Sequence, residues 1–100
     1  MTEIFKCPNC GSNFTHHNKI EIFARDEDAE KGIHTIIDNI DPNVGRSDIE
    51  PTMTIKTDDD VSLSPGRRGA IIITFWCEGC SKESRITIMQ RKGETEIYRQ

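Results

Sequence analysis

The chain has 100 residues, of which 34% are apolar and 30% charged, and its formal net charge is −4 at pH 7. This length predicts one domain with a small core and excludes a second buried domain. The longest unbroken apolar stretch, Ala70 to Ile73, is far shorter than the roughly 18 to 20 residues that a membrane span needs. The first residues contain no apolar signal region, so we expect a cytoplasmic protein without membrane contact.

The branched aliphatic residues favour strands over helices. There are 15 Ile and 2 Val against a single Leu, with 9 Thr beside them. Residues branched at Cβ lose side-chain freedom in a helix but pack well on a pleated sheet, whereas Leu and Ala, which build helical cores, are scarce here. We therefore predict a mainly β fold, a small antiparallel sheet with at most one short helix.

The first half of the chain is predicted to contain three strands. Lys19 to Ala24 alternates polar and apolar residues, which is typical of a strand with one buried face. Asp26 to Gly32 has acids at its start and Lys-Gly at its end, which favours one short helical turn, with a solvated acidic loop as the alternative. Ile33 to Ile37 and Thr52 to Thr57 indicate two further strands, separated by a long loop from Asp38 to Glu50.

A second mobile connection is expected from Asp58 to Gly66, because three consecutive Asp are followed there by Ser, Pro and Gly. Val61 and Leu63 are its apolar residues and are expected to touch the core. The next segment, Gly69 to Trp76, is apolar on both faces, which is typical of a central strand that is covered on two sides.

The end of the chain is predicted to form a hairpin. Arg91-Lys92-Gly93-Glu94 supplies a glycine where a tight turn needs positive φ. Residues 84–91 and 94–99 are the two strands that this turn would join, and Arg85 to Ile88 alternates as a half-buried strand does.

Chemistry is concentrated in two short repeats, Cys7-Pro8-Asn9-Cys10-Gly11 and Cys77-Glu78-Gly79-Cys80-Ser81, whose C-x-x-C pairs are 66 residues apart. Four soft ligands are the number that a tetrahedral thiolate site requires. The two-residue gap lets each turn direct both sulfurs into one pocket. Gly11 can adopt the left-handed conformation after the first turn, whereas Ser81 must adopt it less comfortably. The predicted metal ligands are Cys7, Cys10, Cys77 and Cys80.

The CPNCG and CEGCS turns, each close to a predicted strand, resemble the two metal-binding knuckles of a zinc ribbon, or zinc β-ribbon. The run from Pro65 to Cys80 is more loosely similar to small uncharacterised bacterial and phage zinc-ribbon proteins. The resemblance implies one structural Zn²⁺ and a module that contacts nucleic acid or a larger protein assembly. Familiar zinc ribbons have closer knuckles, so the chain is interpreted as a single zinc-ribbon-like domain, residues 1–100, with an inserted loop region around 38–69.

Other uses of the cysteines are weaker interpretations. Disulfides within the pairs would close very small loops, and neither pair precedes the helix that a thioredoxin-like site requires. A rubredoxin-like iron electron carrier would use the same four sulfurs, although zinc is the commoner metal for this spacing. His16, His17 and His34 are further candidate metal ligands, although four thiolates are already present and surface or strand-edge positions are the favoured interpretation.

The charge is divided unevenly along the chain. Residues 1–66 contain 6 Lys or Arg against 13 Asp or Glu, a net charge of −7, whereas residues 67–100 contain 7 against 4, a net charge of +3. The basic third is a candidate nucleic-acid surface. Trp76 is expected to form an apolar wall beside the second knuckle, with base stacking as the alternative. The candidate contact residues are Arg67, Arg68, Arg85, Arg91, Lys92 and Trp76.

No catalytic combination of residues emerges from the sequence, so we do not expect an enzyme. The Asp58-Asp59-Asp60 run lacks the spacing and the distal Glu of a calcium loop. The preferred interpretation is a non-catalytic zinc-binding module that interacts with another protein, with nucleic-acid binding as the alternative. The sequence alone leaves the oligomeric state open.

Overall fold

The computed structural model describes residues 2–38, 40 and 53–99. Its regular elements are six strands, β1 Thr15–Ala24, β2 Lys31–Asp38, β3 Thr54–Asp60, β4 Ala70–Cys77, β5 Glu83–Arg91 and β6 Glu94–Arg99. These ranges contain no helix, and hence none long and apolar enough to cross a membrane. The predicted mainly β, antiparallel fold is confirmed.

The strands form one antiparallel sheet in the order β3-β2-β1-β4-β5-β6. Each half of the chain is thus a three-stranded meander, and the two meanders join where β1 pairs with β4. Cross-strand contacts between elements occur only between sheet neighbours. The segment Gly69–Trp76 was predicted as the middle of the sheet, and β4 is indeed one of the two central strands. The predicted C-terminal hairpin is also confirmed, with positive φ at Lys92 and Gly93 in its turn.

One face of the sheet carries a small core. We call it the core face, and it is defined by Phe23, Ala70, Ile72 and Met89. Val61, which follows β3, packs on this face and is only 1% exposed, as its predicted core contact requires. His34 stacks on Phe23 with ring centroids 4.0 Å apart. The core is therefore built by β1, β2, β4, β5 and the first residue after β3.

Two local expectations are wrong, and a third is decided in favour of its alternative. The segment Asp26 to Gly32 forms the acidic loop and not the helical turn: Ala29 N–H donates to Asp26 O over 3.1 Å in a turn, and Lys31 and Gly32 belong to β2. Asp58 to Asp60 ends strand β3, since its backbone pairs with β2. Leu63 is 75% exposed, because it lies at a solvent-filled cavity between its own segment and the residues Ile72 and Met89 of the sheet.

Strand β4 was expected to be covered on both faces, and the structure differs from this expectation. The second face of β4 is not fully covered, and Ile71 on it is 40% exposed. The predicted loop from Asp38 to Glu50 lies largely outside the described residues, which include only 38 and 40 of it. Within the region around 38–69, the described residues contain strand β3.

Candidate metal centre

Antiparallel pairing of the two central strands brings the two knuckles together. The Cys7-Cys10 knuckle precedes β1, whereas the Cys77-Cys80 knuckle begins at the end of β4. Thr15, the first residue of β1, pairs with Cys77, the last residue of β4. The start of one strand therefore lies beside the end of the other, and cysteines distant in sequence meet at one end of the sheet.

The four sulfurs form a compact cluster. All four Sγ atoms lie within 4.8 Å of one another. The Sγ atoms of Cys7 and Cys80 are 3.7 Å apart, and those of Cys10 and Cys77 are 3.4 Å apart. A tetrahedral zinc site with Zn–S bonds of about 2.3 Å has sulfurs about 3.8 Å apart, whereas a disulfide joins sulfurs at about 2.05 Å. The cluster therefore has the dimensions of a metal site, and all four cysteines are free thiols.

The two knuckles repeat the same backbone hydrogen bonds. Gly11 N–H donates to Cys7 O over 2.8 Å, and Ser81 N–H donates to Cys77 O over 2.9 Å. Asn9 N–H points at the Cys7 sulfur over 3.4 Å, and Gly79 N–H at the Cys77 sulfur over 3.3 Å. These N–H groups stabilise negative charge on the sulfur, as a thiolate ligand requires.

The knuckles also touch each other. Glu78 N–H donates to Phe14 O over 3.1 Å, which ties the second knuckle to the chain that follows the first. Gly79 lies so close to Cys10 that a Cβ atom there would be 3.1 Å from its sulfur. The site is therefore closely packed by backbone as well as by cysteine side chains.

The pKa values of the four thiols separate into two low and two high. Burial raises the pKa of Cys7, but the N–H groups of Asn9 and Cys10 and the neighbouring thiols lower it to about 6. For Cys77, burial raises the pKa, and the N–H of Cys80 and the thiol of Cys10 lower it below the usual value.

The other two thiols hold their protons more strongly. The N–H of Ser12 lowers the pKa of Cys10, but the thiol of Cys77 and burial raise it to about 12. The backbone at Lys82 lowers the pKa of Cys80, while burial and the thiol of Cys7 raise it above the usual value. Each close sulfur pair thus combines a thiol of lowered pKa with a thiol of raised pKa, and binding of a dication would release the protons that these thiols hold.

Ser81 has the left-handed conformation that the sequence predicted, with φ at 58°, where the equivalent Gly11 has 79°. This conformation costs a residue with a Cβ about 1 kcal/mol. We expect Ser81→Gly to raise the free energy of unfolding of the metal-loaded protein by about 0.5 to 1 kcal/mol, the gain being reduced by the freer unfolded chain. Urea unfolding measures it, and Gly11→Ser is the matched control, expected to shift stability the opposite way. Stabilisation by both substitutions would contradict the explanation.

An aromatic cluster that the sequence analysis missed lies beside the metal centre. Phe75 shares a face of β4 with Cys77, because residues two apart in a strand point the same way. Phe5 stacks on Phe75 with ring centroids 4.6 Å apart, and His17 meets it edge-on at 5.1 Å. A lone Phe two residues before a cysteine has no periodic pattern, so no sequence signal marks Phe5. The cluster shields this end of the sheet.

Trp76 does not form the predicted wall on the cysteine side. Strand alternation directs Trp76 and Cys77 to opposite faces of β4. The Trp76 ring lies 6.1 Å from that of His16, whose Nε2 is 2.6 Å from Glu78 Oε1. Among the described residues, the ligand group contains cysteines alone, and no histidine belongs to it.

The predicted basic residues gather between the segment after β3 and the C-terminal hairpin. A cavity of about 670 Å³ is lined by Arg67, Arg85 and Arg91 among others, and Arg67, Arg68, Arg91 and Lys92 line a smaller one of about 160 Å³. Trp76 lines neither. Arg67 pairs with Asp28, whose pKa it lowers, and Arg68 Nη2 is 3.2 Å from Glu27 Oε2. Part of the positive charge is therefore balanced by the acidic turn between β1 and β2.

No family model matches the chain, and no curated protein or solved structure matches it either. The functional interpretation consequently rests on the geometry of the site. What the structure shows is a four-cysteine cluster, placed to bind a metal ion, at one end of an antiparallel sheet.

Proposed function

We propose that this protein is a non-catalytic, zinc-ribbon-like module that holds one structural Zn²⁺ and interacts with another protein. The observation that carries the proposal is the convergence of four sulfurs, two from each end of the chain, within 4.8 Å of one another. The free thiols suit the reducing cytoplasm, which we propose as the compartment.

A structural rather than a catalytic role follows from the number of ligands. Catalytic zinc sites retain an open position for water or substrate, whereas four protein ligands complete the tetrahedron. The ion would join Cys7 and Cys10 to Cys77 and Cys80, and so would hold the N-terminal segment against strand β4. The chain's own thiols supply the charge, and the knuckle N–H groups orient them.

Metal content tests the proposal directly. Native mass spectrometry of the purified chain is expected to find one zinc per chain, and the same sample is expected to be colourless. A ferric tetrathiolate absorbs visible light, so a coloured protein containing iron would replace this proposal with the rubredoxin-like alternative. A folded chain without any metal would overturn both.

Nucleic-acid binding is the second candidate function, favoured by the gathering of arginines around the two cavities. The double variant Arg85→Ala, Arg91→Ala is expected to weaken salt-dependent binding of DNA or RNA by about tenfold or more in fluorescence anisotropy. Lys82→Ala, Arg99→Ala is the matched control, since it removes the same charge from residues that line neither cavity. Equal losses in both variants would indicate non-specific attraction, and absence of binding at low salt would eliminate this candidate.

A further inference from the structure

The face of the sheet opposite the core face carries two apolar ladders. Each ladder crosses all six strands through directly paired residues. From β3 to β6 the first ladder contains Ile55, Ile37, Ile20, Ile73, Ile86 and Arg99. In the same direction the second contains Thr57, Thr35, Ile22, Ile71, Ile88 and Ile97. Nine of these twelve positions are isoleucine, and we call the surface that they form the isoleucine face.

Four of the nine isoleucines are exposed in the part of the chain that the structure describes, Ile22 by 37%, Ile71 by 40%, Ile97 by 52% and Ile55 by 63%, and the other five are half-buried. Phe5 stacks on Phe75 at the end of this face near the candidate metal centre. Contiguous apolar surfaces larger than a few hundred Å² are rare on monomers and mark interaction sites. The isoleucines of the two ladders form such a surface, since they pair across adjacent strands, and the exposed Ile22 and Ile71 are one such pair.

The burial among the described residues is small for a domain of this length. The buried apolar residues among those described number six, and two of them are the cysteines of the metal centre. The other four are Phe23, Val61, Ala70 and Phe75. A chain of 100 residues normally needs more apolar burial than this to offset its loss of conformational entropy. Covering the isoleucine face would supply that burial.

The size of the whole sheet face that carries the two ladders fits one particular occupant. Six strands about 4.8 Å apart, each of about seven residues rising about 3.4 Å, give this sheet face dimensions of roughly 29 by 24 Å, or about 700 Å². A stable interface buries about 800 Å² on each partner. Sheets pack face to face at about 10 Å through interdigitating side chains. A second sheet of the same dimensions therefore matches the surface.

We infer that the occupant is a second copy of this chain, and that the protein is a symmetric dimer whose two isoleucine faces pack into a β-sandwich. The two ladders contain no acidic residue, and their only charged one, Arg99, lies on the edge strand β6. A charged partner would therefore find no acidic side chain on the ladders to pair with, whereas an identical apolar face needs no charged partner. This inference rests on the proposed interaction with a protein and identifies that protein as a second copy of the chain. It does not depend on which metal is bound.

Sedimentation of the full metal-loaded chain tests the inference. The wild type is expected to have twice the chain mass of 11.4 kDa and to melt at a higher temperature as its concentration increases. Ile71→Lys is expected to raise the dissociation constant by at least about 100-fold, because each dimer would lose two central isoleucines and bury two charges. Leu63→Lys is the matched control, since it changes an exposed apolar residue outside the ladders, and it is expected to remain dimeric.

Ile71→Thr provides a milder variant, because it retains branching at Cβ and should fold even if the lysine variant does not. It is expected to weaken dimerisation while retaining one metal ion per chain. A wild type that is metal-loaded but monomeric at every concentration would overturn the dimer and leave the metal-binding proposal standing. A dimer that Ile71→Thr leaves as tight as the wild type would also overturn the inference, since it would use another surface. A metal-free dimer would instead support this inference and overturn the metal-binding proposal.

Discussion

Removal of the metal is expected to unfold most of the protein. A structural zinc contributes about 10 to 16 kcal/mol of apparent binding free energy near neutral pH, which is comparable with the whole net stability of a domain. Here the site would also join the N-terminal knuckle to the end of β4, across more than half of the chain. Chelation followed by circular dichroism should show loss of the sheet, and added zinc should restore it.

A single ligand substitution should have a similar effect. Cys77→Ser removes a fully buried sulfur at the junction of β4 with its knuckle. The variant is expected to bind metal at least about 100-fold more weakly and to be largely unfolded in dilute chelator. Thr15→Ser is the matched control, because Thr15 pairs with Cys77 but supplies no sulfur. A sheet that persists unchanged in Cys77→Ser after exhaustive chelation would contradict a structural role for the metal.

Truncation of Phe23 is expected to be the most damaging change in the core. Its side chain is 2% exposed, stacks on His34 and packs with Val61 and Ala70. Phe23→Ala should lower the free energy of unfolding by about 3 to 5 kcal/mol, through lost burial and the cavity left behind. In so small a core, few neighbouring side chains can move to fill that cavity.

The same substitution at an exposed site provides the control. Phe14 is 67% exposed, and Phe14→Ala should change the free energy of unfolding by less than about 0.5 kcal/mol. Urea unfolding of both metal-loaded variants, followed by Trp76 fluorescence at equal protein concentration, measures the difference. Similar losses at the two positions would mean that the core does not lie on the Phe23 side of the sheet.

The strands were predictable because their signals are local. Alternation in Lys19 to Ala24 marks β1, and the apolar run from Gly69 to Trp76 marks β4. The glycine turn at Gly93 places the C-terminal hairpin within one residue of its observed bounds. Each of these signals depends on residues within one strand or turn, so the rest of the chain does not alter it.

The errors occurred where a distant strand decides the conformation. Asp58 to Asp60 has the composition of a loop, yet its backbone pairs with β2 and extends β3. Asp26 to Gly32 has helix-end signals, but its last residues are taken into β2. Trp76 is adjacent to a metal ligand in sequence, but strand alternation turns it to the other face. Composition could not reveal these outcomes, because they depend on pairing partners far away in the chain.

By itself the sequence determined the candidate ligands, Cys7, Cys10, Cys77 and Cys80, and the β character of the chain, since both follow from residue type and short spacing. Only the tertiary structure decided that the knuckles meet, because that requires β1 to pair antiparallel with β4, from which residues 25–69 separate it in the sequence. It also decided which isoleucines share one face, because strand register, set by pairing over the whole sheet, aligns them into two ladders.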